Sequence, residues 1–232
     1  MEKHTLIVAA TAAEINPLLK YFKVGKLNAN GIASFQFKKK PLKVLIAGVG
    51  TPQFIYNLLT EITLNRPAFV INAGIAGCYH NSIKIGSTVF VKQDCFADIG
   101  AENDRDFISA FDLNLDSPLK FPYNKGKLKV TRHPSINALE KLMKVNAITA
   151  NTSHGNEQSI EMYRKFYKPD IETMEGAAAI YVCKRQGIPV VQLRSISNLV
   201  EKRNRDAWNI PLAIESLNKT LIKVIKELHE IQ

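Results

Sequence analysis

Short apolar runs alternate along the chain with segments whose apolar residues recur every three or four positions, the signature of strands and helices following one another. Thr5 to Ala10 is β-branched and apolar, and Ala12 to Tyr21 follows with Ile15, Leu18, Leu19 and then Phe22 at helical spacing. A strand, a loop at Thr11 and a helix are predicted there. Ser34 to Phe37 and Lys43 to Ala47 predict two more strands, the second closed by Gly48-Val49-Gly50-Thr51. Pro52 then falls in the first turn of a helix, where its missing N–H is harmless. Phe69 to Ala73 is a continuously apolar strand ending in Gly74-Ile75-Ala76-Gly77, where the lack of a Cβ lets backbone and ligand come close.

Farther along, Thr88 to Lys92 predicts a strand, whereas Ala101 to Lys127 holds aspartates, two prolines and scattered aromatics without a steady period. That stretch is expected as an excursion over the surface. Ser135 to Lys144 and Gln158 to Tyr167 predict helices on either side of a strand at Asn146 to Ala150. Ile171 to Met174 leads into Glu175 to Gln186, an alanine-rich helix stopped by Gly187 and Pro189, and Val190 to Ile196 is a buried strand. Ile210 to Ile231 closes the chain as an amphipathic helix with Leu217, Leu221, Val224, Ile225 and Leu228 on one stripe. The expected architecture is one α/β domain over residues 1–232: three layers, α/β/α, around a central mixed, mostly parallel twisted sheet.

Composition narrows the function classes. A length of 232 residues with 46% hydrophobic content suits one domain with a substantial core. No apolar run reaches the roughly 18 residues of a membrane span, and Met1-Glu2-Lys3-His4 lacks a signal peptide's basic start and apolar stretch, so a cytoplasmic protein is expected. Cys78, Cys95 and Cys183 are odd in number and widely spaced, which suggests neither a disulfide framework nor a zinc pair. The five histidines include no pair at helical metal-ligand spacing, so no metal is expected. A formal charge of +10, from 31 basic against 21 acidic residues, favours an anionic partner. Its distribution over a hairpin rim at Lys38-Lys39-Lys40, a loop at Lys120 to Lys129 and the wet face of the last helix reads as solvated surface, so no nucleic acid is expected. Gly48-Val49-Gly50 has no third glycine three residues on, and no Gly-Lys-Ser/Thr occurs, so neither a dinucleotide nor a triphosphate cradle is supported.

Five motifs run in order from residue 10 to residue 198: Ala10-Thr11-Ala12-Ala13-Glu14, Ala47-Gly48-Val49-Gly50, Asn72-Ala73-Gly74-Ile75-Ala76-Gly77, Thr173-Met174-Glu175-Gly176 and Arg194-Ser195-Ile196-Ser197-Asn198. Together they resemble the nucleoside phosphorylase and nucleosidase superfamily. Ser197 to Arg205 with Trp208 is similar to its futalosine hydrolase branch, which releases a purine from futalosine in a menaquinone route. The resemblance implies a homo-oligomeric, nucleoside phosphorylase-like enzyme with a small-molecule nucleoside substrate and no organic cofactor.

Cleaving an N-glycosidic bond needs an anchor for the sugar, a donor to the departing base and an activated nucleophile. Glu175 would accept two hydrogen bonds from adjacent ribose hydroxyls; its plainer role is a charge in a helix's first turn. Glu14 would act as general base on a water, or else merely cap its own helix at a spacing of three from Thr11. Asn198 would donate to the N7 and O6 edge of a 6-oxopurine, where the resembling methylthioadenosine and S-adenosylhomocysteine nucleosidases carry aspartate; alternatively it ends a strand in an Asx turn. Arg194, in an apolar run, should pair with Glu14 or another cleft carboxylate and orient base and water, or snorkel to the strand edge. By the same resemblance Met174 would pack on the ribose, with Gly50, Gly74 and Ile75 lining the substrate site; Ile75 stands where related nucleosidases place a serine. His80, Arg105, His154 and Arg203 are the candidate cations for futalosine's benzoate arm. The competing activities are methylthioadenosine or S-adenosylhomocysteine hydrolysis, which Asn198 disfavours, and phosphorolysis, which the lack of arginine in Ala9 to Ala13 disfavours. A non-catalytic nucleotide-binding or nucleic-acid-binding module is the alternative class, in which a water-activating carboxylate has no use.

Overall fold

The computed structural model describes residues 4–104 and 106–230. Strands form at β1 (Thr5–Ala9), β2 (Ile32–Phe37), β3 (Lys40–Ile46), β4 (Phe69–Cys78), β5 (Thr88–Asp94), β6 (Gly100–Asn103), β7 (Asp106–Ser109), β8 (Leu128–Lys129), β9 (Lys144–Thr149), β10 (Ile171–Thr173) and β11 (Val190–Leu199). The helices are α1 (Ala12–Tyr21), α2 (Thr51–Leu64), α3 (Asn137–Glu140), α4 (Glu157–Tyr167), α5 (Gly176–Arg185) and α6 (Ile210–Leu228), with a 3-10 turn at Arg205–Ala207.

The main sheet has the order β10-β9-β5-β11-β4-β1-β3-β2, with β8 added on β5. β1 runs parallel to β3 and β4, β11 parallel to β4, and β9 parallel to β5 and β10, while β2, β8 and the β5–β11 pairing are antiparallel. Alternate side chains of β1 serve opposite layers, as the two-residue period of a strand requires. Ile7 and Ala9 join Ile15 and Leu18 of α1 and Leu217, Leu221 and Ile225 of α6. Leu6 and Val8 join Phe54 and Leu58 of α2 and Ala178 and Val182 of α5. Burying a residue of this size contributes about 1.5–3 kcal/mol, so each layer is held chiefly by its apolar stripe.

The expectation of a plain twisted sheet is corrected. β10 pairs with β4 as well as with β9, Ile171 opposite Cys78 and Glu172 opposite Gly77, which closes β10, β9, β5, β11 and β4 into a ring. Both long strands supply the bend. β4 passes through Gly74 and Gly77, and β11 shifts register between Ile196 and Asn198, an irregularity of the kind that raises local twist. Both strands thus continue past Ala73 and Ile196, where their apolar runs stop, and the extensions carry the polar motifs.

Two further expectations change. The helix expected from Ser135 to Lys144 shrinks to the single turn α3, because Ile136 is already extended (φ −128°, ψ 125°) and Lys144 opens β9. The excursion from Ala101 onward contains a hairpin, β6 against β7, pairing Gly100 with Ser109 through Asn103 with Asp106.

Candidate active site

The end of β1 delivers the chain into α1 through a complete capping box. Glu14 Oε2 accepts from the Thr11 N–H at 2.9 Å and the Thr11 hydroxyl at 3.1 Å, satisfying donors at the helix start. Its other oxygen, Oε1, accepts from the Ile75 N–H at 3.1 Å across the sheet. The capping role and a place on the cleft therefore coexist in one buried carboxylate.

The same helix contains Pro17, which interrupts its ladder. The side chain of Asn218, from α6, is spliced into the gap: Leu18 N–H donates to Asn218 Oδ1 at 3.0 Å, and Asn218 Nδ2 donates to the Glu14 carbonyl at 2.8 Å. Leu18 and Glu14 would be the two ends of an ordinary helical hydrogen bond. The buried amide replaces it and fixes the backbone that carries the Glu14 carboxylate.

Glu175 sits at the N-cap of α5 and is buried; its Oε1 accepts from the Gly50 N–H at 2.9 Å. Gly50 has φ +82°, a region open mainly to glycine, and this turns its N–H toward the carboxylate. Burial pushes the Glu175 carboxyl above its ordinary value, with the Gly50 hydrogen bond and Arg194 acting against that rise.

Asn198 lies at the end of β11. Its Oδ1 accepts from the Ser197 hydroxyl at 2.8 Å, and its Nδ2 donates to the Leu199 carbonyl at 2.8 Å. A carbonyl only accepts, so the amide cannot be turned the other way without setting oxygen against oxygen. One N–H of Asn198 remains for a ligand.

Arg194 is 2% exposed and lies behind the cleft wall. The expected contact with Glu14 or another cleft carboxylate is not made: among the described residues the guanidinium donates only to the Leu193 carbonyl, at 3.4 Å, and Nε has no partner. Burial draws Arg194 below its ordinary value, against the pull of Glu175, Glu14 and Asp94. Gly74 is what allows this approach, since a Cβ there would lie 2.6 Å from Arg194 Nη1 and 2.8 Å from Glu14 Oε1.

These groups border a cleft of about 440 Å³ lined by Thr11, Glu14, Ile75, Met174, Glu175 and Asn198, with Arg203, Trp208 and Ile214 along its wall. Glu14, Glu175, Asn198, Met174 and Ile75 are thus brought together, while Gly50 and Gly74 support the carboxylates from outside the lining. Of the candidate cations, Arg203 lines the cleft and stacks on the Trp208 ring at 5.4 Å. His80 instead lies 3.5 Å from Asp170 and His154 pairs with Glu172, neither of them on the lining; Arg105 lies outside the described residues.

Sequence reasoning missed Glu172, a buried carboxylate on the cleft wall that also accepts from the Tyr79 hydroxyl at 3.0 Å and the His154 N–H at 2.9 Å. The available signal was an acid in the middle of a strand, Ile171-Glu172-Thr173, with two apolar or β-branched neighbours. Among the described residues no group of three or more His, Cys, Asp or Glu side chains is placed to hold a metal ion, and no helix is long and apolar enough to cross a membrane.

Residues 4–230 match the family model of the phosphorylase superfamily. The chain belongs to that superfamily. Members similar to it include a futalosine hydrolase of Acidothermus cellulolyticus, 26% identical over 94% of this chain and 88% of the relative. A 5′-methylthioadenosine/S-adenosylhomocysteine nucleosidase of Buchnera aphidicola is 23% identical over 93% of this chain and 92% of the relative. Among solved structures, the superfamily fold is shared with the futalosine hydrolase of Helicobacter pylori, with a TM-score of 0.80 and 21% identity over 97% of this chain and 98% of the other. It is also shared with a methylthioadenosine nucleosidase mutant of the same organism holding 5′-methylthioadenosine in its active site, with a TM-score of 0.81 and 22% identity over 98% of this chain and 100% of the other.

Proposed function

We propose that the chain is a purine nucleosidase, hydrolysing an N-glycosidic bond without phosphate, and that futalosine is its substrate and hypoxanthine the base released. One observation carries the base assignment. One Asn198 N–H is spent on the Leu199 carbonyl and Oδ1 already accepts from Ser197, so the amide keeps an N–H donor to offer the base. A 6-oxopurine presents acceptors at N7 and O6 and suits that donor, whereas the amino group of adenine would set a second donor against it.

The remaining roles follow from charge development. As the bond breaks, the sugar becomes cation-like and the purine anionic. Glu175, with Oε1 already held by Gly50, uses its second oxygen for the ribose hydroxyls and places negative charge near the developing cation. Glu14 takes the proton of a water aimed at the anomeric carbon; its three donors, from Thr11 and Ile75, hold the carboxylate in one orientation. Asn198 stabilises the departing base by hydrogen bonding rather than full proton transfer. Arg194 acts from behind, as the buried cation shared by Glu14 and Glu175. Arg203, over the Trp208 ring, is the cleft's candidate for the benzoate arm of futalosine. A homo-oligomer is part of the same reading, supported by exposed apolar side chains such as Tyr56 and Leu59 on α2.

Incubating the protein with futalosine, inosine and 5′-methylthioadenosine, with and without phosphate, tests the proposal. Hypoxanthine and a free sugar derivative from futalosine in either buffer are expected. Preferential release of adenine from 5′-methylthioadenosine would replace the substrate, and a sugar 1-phosphate formed only with phosphate would overturn hydrolysis.

A further inference from the structure

Behind the cleft lies a buried acid that the proposed mechanism does not use. Asp94, the last residue of β5, is 1% exposed. Its Oδ1 accepts from the Cys95 N–H at 2.8 Å and the Thr149 hydroxyl at 3.0 Å, and its Oδ2 from Gln192 Nε2 at 3.1 Å. Thr149 has one proton and gives it to Asp94, so of the two acceptors open to the Thr173 hydroxyl, Thr149 Oγ1 at 2.9 Å and the Ile148 carbonyl at 3.5 Å, the nearer makes Thr173 the donor to Thr149. Thr149 also accepts from the Ala177 N–H at 2.8 Å, and Thr173 accepts from the Gly176 N–H at 3.1 Å.

Every donor in this relay points toward Asp94. It begins at the first two amides of α5, which have no partner within their own helix, and ends on a carboxylate that can only accept. A negative charge at a helix N-terminus is also favoured by the helix dipole. The packing is tight: a Cβ on Gly176 would lie 2.0 Å from Gln192 Nε2 and 2.3 Å from Asp94 Oδ2. Glu175 immediately precedes these amides as the N-cap residue.

We propose that Asp94 is a positioning residue for the sugar-binding carboxylate: through Thr149 and Thr173 it fixes Gly176 and Ala177, and with them the Glu175 side chain over the cleft. This rests on the nucleosidase reading for its kinetic consequence but not for its structural one. Burial pushes the Asp94 carboxyl up to about 6, against the hydrogen bonds from Gln192 and Thr149 and the charge of Arg194. Arg194 faces it from β11 and is shared with Glu175 and Glu14; Cys95 follows it in the chain, and Lys127 acts on that thiol. Protonation removes the negative charge on which the relay ends, so its hold on α5 weakens as pH falls through about 6.

The test uses the full chain and the variants Asp94→Asn, Thr149→Val and Thr149→Ser. Gln192 Oε1 has no partner, so a turn of that amide would present an acceptor to the NH₂ group introduced by the first variant and let it fold. With futalosine at pH 7.5, Thr149→Val is expected to raise KM about tenfold with a smaller change in kcat; Asp94→Asn, which keeps an oxygen for Thr149 but loses the charge, should raise it less, and Thr149→Ser should stay within about threefold of the parent. The double variant D94N/T149V should be no worse than T149V, because both act on one relay. A wild-type KM for T149V, or losses that multiply in the double variant, would overturn the inference, and T149V against T149S decides it even should D94N not fold. The second readout needs no turnover: the Gly176 and Ala177 amide resonances of the parent should shift with a midpoint near 6 and lose that shift in T149V. Parent protein that releases no base yet shows this titration refutes the nucleosidase reading alone; static amides refute the positioning role alone.

Discussion

Replacing Asn198 with aspartate isolates the base-recognition argument at one pair of atoms. In the parent, Nδ2 gives one proton to the Leu199 carbonyl at 2.8 Å and keeps the other for the cleft, while Oδ1 is held by Ser197 at 2.8 Å. A carboxylate oxygen in place of Nδ2 would face the Leu199 carbonyl oxygen to oxygen, so the side chain must either hold a proton there or swing toward the base. In both cases the N–H offered to O6 or N7 is gone, and an acceptor for an exocyclic amino group becomes available. Leaving a buried polar group of the base without its partner costs about 1–3 kcal/mol. At about 1.4 kcal/mol per factor of ten, that is roughly a tenfold to hundredfold loss of kcat/KM for a 6-oxopurine nucleoside. Adenine nucleosides should gain in the opposite sense, so the inosine-to-adenosine ratio of kcat/KM is expected to fall by about a hundredfold or more. Inosine and adenosine share one sugar and differ at the six-position, which confines the comparison to the base. A ratio that moves less than about threefold in a variant with unchanged near-ultraviolet circular dichroism would refute the reasoning.

Three other outcomes are expected. Glu14→Gln removes the base and sets an NH₂ against the N–H of either Thr11 or Ile75, so kcat should drop by about 10²–10⁴-fold and stability by about 1–3 kcal/mol; activity within about tenfold of the parent would remove Glu14 from the chemistry. Gly74→Ala places a methyl 2.6 Å from Arg194 Nη1 and 2.8 Å from Glu14 Oε1, so it should fold yet lose at least about tenfold in kcat/KM, read by steady-state kinetics and circular dichroism together. Asp94 holds its proton more tightly folded than unfolded, since burial raises it from an ordinary aspartate's 3.8 to about 6. Its share of stability is therefore present below about pH 4 and lost as pH rises through about 6, a change of about 3 kcal/mol for a shift of this size. Urea unfolding of the parent and of Asp94→Asn from about pH 4 to 7 should show the variant gaining relative stability by about that amount, and parallel curves would contradict it.

The local features of the site were legible in the chain because they depend on near neighbours. Thr11 and Glu14, three apart, predict the start of α1, and the capping box forms there. Apolar runs mark β1, β4 and β11, whose ends carry the candidate residues. What stayed hidden depends on pairing between distant segments. No periodicity says that β10 reaches back to β4 and closes the ring, because both edges of a short apolar strand look alike in sequence. Arg194 in an apolar run implied a contact with a carboxylate, yet the structure spreads its charge among three acids without touching one, a matter of spacing that composition does not encode. Asp94 and Asn218 carry no local signal in the sequence; their roles appear only once Thr149 and Pro17 are beside them in space.

The splice of Asn218 into α1 has a consequence for synthesis. The amide and the Glu14 carbonyl it holds are 204 residues apart, so during translation the first helix waits for one made long after it. A nascent chain lacking α6 would have the Pro17 break unrepaired and the neighbouring carboxylate unsteady. The backbone under Glu14 therefore gains this support only once α6 has left the ribosome.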